Sequence, residues 1–143
     1  MKLNKMQQES ITKLAASGRE AWLKGDIETA EINFLASWEA IPEPKLTYDI
    51  SQTASYGITV FYRSIGKIEK AKAWLRITKE AYGTGEASEE YTNFLEATIL
   101  YENGEFDNAF KLFIPQYQTY GNRAFEGEDK KYLDFVKRRK KEK

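Results

Sequence analysis

WLKGDIETAEINF, residues 22–34, reads as the end of one helix, a glycine break and the start of a second helix. The arrangement returns twice, in RSIGKIEKAKAWL, residues 63–75, and YENGEFDNAFKLF, residues 101–113. In each stretch an alanine follows the glycine by five residues and a large apolar residue follows the alanine by four: Gly25, Ala30, Phe34; Gly66, Ala71, Leu75; Gly104, Ala109, Phe113. Upstream of the first glycine, Leu14, Ala15, Ala21 and Trp22 fall near helical spacing; downstream, Ile27, Ala30, Phe34 and Ser37 continue it. A glycine between helical stretches supplies the left-handed residue that ends one helix, and a small alanine lets the next lie close against it. Each stretch therefore predicts an antiparallel helix pair.

Gly25 to Gly66 spans 41 residues and Gly66 to Gly104 spans 38, a period of repeat-array size. The pattern resembles the tetratricopeptide repeat, usually about 34 residues long. In the first unit the family's small residue of the first helix falls on Gly18, its turn glycine on Gly25, its packing alanine on Ala30, its aromatic on Phe34 and its closing proline on Pro42. The second unit keeps Tyr62, Gly66 and Ala71, with Thr59 at the small position and Leu75 at the aromatic one; the third keeps Ala97, Gly104, Ala109 and Phe113. Gly83 and Gly121 stand where the later units would have the proline. The resemblance implies an all-α, right-handed superhelix of about three helix-turn-helix pairs, with units near residues 10–43, 51–84 and 89–122 in one domain over 1–143.

The extra length of the units sits in their connections. In IPEPKLTYDIS, residues 41–51, Pro42 and Pro44 forbid helix continuation and predict an extended link. YGTGEASEE, residues 82–90, is loosened by two glycines; it lacks the third glycine and the preceding strand of a dinucleotide loop, so it reads as a linker. Pro115 lies inside the second helix of the third unit and predicts a kink, or else a fresh helical start. The closing segment DKKYLDFVKRRKKEK places Tyr132, Leu133, Phe135 and Val136 along one helical face. An array of helix pairs leaves its last pair with an open apolar face, which an amphipathic helix at about 128–141 would cap. The expected count is seven helices.

Composition narrows the chemistry. The chain has 143 residues, neither cysteine nor histidine, and a 14% aromatic share with only 3 prolines, so it is expected to fold as one domain. Disulfides, thiolate metal sites, Ser-His-Asp and Cys-His nucleophiles and the usual zinc ligand sets are excluded. Bases and acids number 22 each, yet the last seven residues, KRRKKEK, hold six bases and one acid, leaving 16 bases against 21 acids before them. That tail reads as a solvated helix end whose cations complement the helix dipole, and the acidic body would repel nucleic-acid phosphate. No apolar leader or membrane-length stretch is visible, so a cytoplasmic protein with no membrane partner is expected. No cofactor, metal or small-molecule substrate is expected either.

Two sets of residues are candidates for partner binding. By the tetratricopeptide geometry, groove positions fall on Thr12, Ala15, Arg19, Trp22 and Leu23; on Thr53, Tyr56, Val60, Arg63 and Ser64; and on Tyr91, Phe94, Thr98, Tyr101 and Glu102. Trp, Tyr and Arg bury large area while keeping a polar handle, as interaction hot spots do. Two readings stand for this set: an open groove, or rings that meet one another as core. Trp38 and Trp74 fall near packing positions of the second helices and read as core. The second set is Glu126, Glu128 and Asp129, a C-terminal edge. These acids lack the spacing of a calcium loop and suit a helix N-terminus, with Asp129 as its cap.

The stand-alone size, the degenerate repeats and the ending GNRAFEGEDKKYLDF resemble small bacterial tetratricopeptide-like immunity proteins of polymorphic toxin systems. That resemblance implies a non-enzymatic interaction module whose partner is a toxin domain, with an acidic body suited to a basic toxin such as a nuclease. The alternative in the same class is a chaperone or regulatory adaptor. The alternative from another class is a carboxylate-dependent hydrolase around Glu126 and Asp129, against which stands the missing nucleophile and base set.

Overall fold

The three glycine turns close in the same way, to the bond. In the computed structural model, which describes residues 2–142, Gly25, Gly66 and Gly104 have φ of +83°, +80° and +78°. Each glycine N–H donates to the carbonyl three residues back, and the next residue's N–H donates to the carbonyl five residues back: Asp26 to Ala21 at 2.9 Å, Lys67 to Tyr62 at 2.9 Å, Glu105 to Leu100 at 2.8 Å. This is the Schellman closure, which satisfies carbonyls a helix end would otherwise leave unpaired. The same residues then start the next helix, since the carbonyls of Asp26, Lys67 and Glu105 accept from the N–H groups of Ala30, Ala71 and Ala109, each at 3.0 Å. The five-residue step from glycine to alanine is thus one Schellman turn followed by the first turn of a helix. All three alanines are fully buried.

Three hairpins result: α1 (Lys5–Leu23) with α2 (Ile27–Glu39), α3 (Ile50–Ser64) with α4 (Ile68–Tyr82), and α5 (Glu86–Glu102) with α6 (Phe106–Tyr120). A seventh helix, α7 (Lys130–Lys141), packs on α6. Successive hairpins touch through α2 with α3 and α4 with α5, and α3 also reaches α5. Among the described residues there is no strand, and no helix is long and apolar enough to cross a membrane. The all-α class and the seven α-helices agree with expectation.

Local differences have local causes. Helix α1 begins at Lys5, ahead of the expected residue 10, because Asn4 and Gln7 form a reciprocal capping box with bonds of 2.8 and 3.0 Å. The link after α2 is not simply extended, since Lys45–Thr47 form a 3-10 turn. The Lys45 ammonium donates to the carbonyls of Trp38 and Glu39 at the end of α2 and of Ile41 just past it. Helix α6 runs unbroken through Pro115, which removes the fresh-start reading. Pro115 and Lys111 are both exposed, so water can satisfy the carbonyl that proline leaves without a donor. Asp129 caps α7, accepting from the Lys131 N–H at 2.9 Å.

The interior divides into two cores. The first gathers Phe34, Ile58, Phe61, Tyr62 and Leu75 from α2–α4 with Leu95 and Ile99 from α5. Trp38 and Trp74 pack edge to face at 5.3 Å against it. The second gathers Phe94, Ala97, Phe110, Phe113, Phe125, Tyr132, Phe135 and Val136, so the closing segment does cover the last hairpin. Side chains of the basic tail join this packing: Arg139 pairs with Asp107 and lies over the rings of Phe110 and Phe135, while Lys140 sits over Tyr117. Lys143 lies outside the described residues.

Candidate functional site

Helix α6 ends at Gly121, whose φ of +65° turns the chain into a short 3-10 helix, Gly121–Phe125. Phe125 anchors that segment, buried against Phe94 at 5.2 Å and Phe113 at 5.5 Å. Gly127, with φ of +81°, turns the chain again into α7. The hook so formed carries Arg123, Glu126 and Glu128 to the mouth of a cleft of about 800 Å³. Its other walls are Tyr56 from α3, Glu90, Tyr91 and Phe94 from α5, and Gln116 and Tyr120 from α6.

Hydrogen bonds fix the far wall. Gln116 donates to the Glu90 carbonyl at 2.8 Å, and the Tyr120 hydroxyl donates to the Glu90 carboxylate at 3.0 Å. That bond to the carboxylate is the first cause raising the Tyr120 pKa. On the near side Tyr82 bridges two cleft rings, 6.4 Å from Tyr56 and 6.0 Å from Tyr91. Burial pushes the Tyr56 phenol up to about 12, the negative charge of Glu128 adds to the shift, and Arg63 opposes it. Tyr91 is 62% exposed and Tyr120 42%, so the cleft offers ring faces to solvent. It combines large amphipathic rings, three carboxylates and one guanidinium, groups that can meet polar and cationic atoms.

The two sequence-derived sets therefore meet here in part. Tyr56, Tyr91 and Phe94 come from the groove positions, Glu126 and Glu128 from the C-terminal edge. Phe94 doubles as core at 6% exposure. Asp129 is spent on its cap. Among the described residues no group of three or more acids could hold a metal ion.

The remaining groove positions lie elsewhere. Arg63, Tyr101 and Glu102 are engaged by α7: Glu102 accepts from the Tyr132 hydroxyl at 2.8 Å and pairs with Lys131 at 2.7 Å. Tyr101 packs edge to face on Tyr132 and Phe135, and Arg63 lies over the Tyr132 ring while donating to Thr98 at 2.9 Å. These three make contacts within the chain, because the capping helix folds onto them, and each stays part-exposed. Trp22 is half-buried with its ring against Phe34 and Phe61, whereas Arg19, one turn earlier, is exposed. The first hairpin supplies no wall of the cleft. Sequence reading missed Glu90, Gln116, Tyr120 and Arg123. The spacing of Glu90, Tyr91 and Phe94 on one helical face was the available signal; nothing local pairs Glu90 with a tyrosine thirty residues on.

Comparison with protein-family models, with curated proteins and with solved structures finds no match to this chain.

Proposed function

We propose that this chain is a non-enzymatic protein-binding module of tetratricopeptide type, its hairpins wound as a right-handed superhelix, and that its partner docks at the α3, α5 and α6 cleft. The observation that carries the reading is the convergence of Tyr56, Tyr91 and Phe94 from the groove positions with Glu126 and Glu128 from the C-terminal edge around one opening. Sequential hairpin contacts and three like Schellman turns support the repeat assignment. Exposed tyrosines in a concave site are the residue type and shape that protein interfaces favour.

Within that class we infer an immunity role, neutralising a bacterial toxin domain. Its support is the resemblance of the GNRAFEGEDKKYLDF ending together with the acidic rim, which suits a basic partner. The test is coexpression with the toxin-like domain encoded by the adjoining reading frame. The chain is expected to restore growth and to copurify with that domain, and Tyr91→Ala with Glu128→Lys is expected to lose both. Growth arrest that the intact chain leaves untouched, with no complex on gel filtration, would refute the immunity role.

A further inference from the structure

One arrangement occurs three times among the described residues, and in two of them a described lysine completes it. In the first, the Tyr62 hydroxyl donates to Glu31 at 2.7 Å, and the Lys70 ammonium sits 3.4 Å from that carboxylate and 5.4 Å from the Tyr62 ring centre. In the second, the Tyr132 hydroxyl donates to Glu102 at 2.8 Å, and Lys131 sits 2.7 Å from the carboxylate and 5.4 Å from the Tyr132 ring centre. The third is Tyr120 with Glu90 at 3.0 Å, in the cleft. Among the described residues no basic side chain pairs with Glu90 or lies over Tyr120.

We infer that the cleft receives an arginine or lysine side chain from a basic segment of a protein partner, seated over the Tyr120 ring and against the Glu90 carboxylate. The inference rests on the protein-binding reading and gives its chemistry. The hydroxyl bond holds carboxylate and ring in one frame, so a cation placed there gains a charge-assisted hydrogen bond and a ring face together. Glu126 and Glu128 add negative charge at the mouth, Tyr91 offers a second exposed ring, and among the described residues Arg123 is the single cation lining the opening. The occupant is thus a cation and not an anion.

The experiment titrates the intact chain with a capped peptide of alternating glycine and arginine, followed by two-dimensional NMR at low salt, with the citrulline peptide as its neutral isostere. The arginine peptide is expected to shift Glu90 and Tyr120 resonances saturably, the citrulline peptide is not, and salt is expected to weaken the shifts. Glu90→Gln is expected to weaken binding about tenfold or more, as loss of a hydrogen bond to a charged group does. Tyr120→Phe keeps the ring and should cost only a few-fold, while Arg123→Gln should tighten binding by removing a like charge. Equal binding of the citrulline peptide, or an unchanged affinity in a natively helical Glu90→Gln variant, overturns the inference. So does a wild-type dimer that Glu90→Gln disperses, because the occupant would then be the basic tail of a second copy. A protein partner held equally well by wild type and by Glu90→Gln refutes the cation seat alone. Arginine-peptide binding by a chain that captures no protein from its host refutes the module reading alone.

Discussion

Two glycines inside helices should answer the same substitution with opposite signs. A Cβ on Gly18 would stand 2.8, 2.9 and 3.1 Å from Cδ1, Cε1 and Cγ of Phe34, against an ordinary carbon contact of about 3.5–4.0 Å. Phe34 has little room to retreat, being 6% exposed with Phe61 at 5.1 Å and the Trp22 edge at 6.2 Å. Overpacking of this kind costs about 1–3 kcal/mol. Alanine regains about 0.8–1.0 kcal/mol over glycine in a helix interior. Gly18→Ala is therefore expected to destabilise by about 1 kcal/mol net. Gly57, in the middle of α3, is exposed and has nothing within 4 Å of its would-be Cβ, so Gly57→Ala should stabilise by about 0.8–1.0 kcal/mol. The pair should differ by about 2 kcal/mol, which in a chain of this length moves the two Tm values apart by roughly 4–8 °C. Urea unfolding followed by circular dichroism measures this, with equal m-values confirming that stability alone has changed. In a Phe34→Leu background the Gly18→Ala penalty should shrink. If Gly18→Ala stabilises as much as Gly57→Ala does, the close approach of α1 to Phe34 described above is wrong.

Three further outcomes follow from the packing. Phe113→Ala removes a fully buried ring that meets Phe94, Phe125, Tyr132 and Phe135, and should cost about 3–5 kcal/mol in denaturant unfolding. Pro115→Ala should stabilise by about 1–3 kcal/mol, because it restores a helix-interior hydrogen bond at an exposed position; a loss of Tm would show that the proline serves the helix end. Tyr62→Phe deletes the bond that chiefly lowers the Glu31 pKa. A depressed folded pKa gives stability that is full above the usual carboxylate range and lost as pH falls through the folded value. Wild type should thus exceed Tyr62→Phe by about 1–2 kcal/mol at neutral pH, with the gap closing toward acid in a pH series of melts.

Where a contact is local, the sequence displayed it. The spacing from Gly25 to Ala30 and Phe34 spells out a Schellman turn and the helix start after it, so the hairpins could be read in order. Asp129 could be recognised as a cap because an N-terminal acid acts on the turn beside it. The cleft and the fate of the groove positions depend instead on partners far along the chain. Glu90 meets Tyr120 and Glu102 meets Tyr132 across thirty residues. Nothing in helical periodicity distinguishes Tyr101, which α7 covers, from Tyr91, which stays in solvent. The 3-10 turn at Lys45–Thr47 is an exception among the local contacts: its lysine reaches carbonyls only four to seven residues back, yet the two prolines just before it suggested extension instead.

Helix α5 lends Leu95 and Ile99 to one core and Phe94 and Ala97 to the other. Opening either half therefore strips one side of α5 while leaving its other side packed. In amide hydrogen exchange, protection should rise from the chain ends toward the middle of α5, which exchanges only when the whole molecule unfolds. A ligand seated on Glu90 and Tyr91 grips this helix near its start, and by mass action it would slow exchange in the first core as well as in the second.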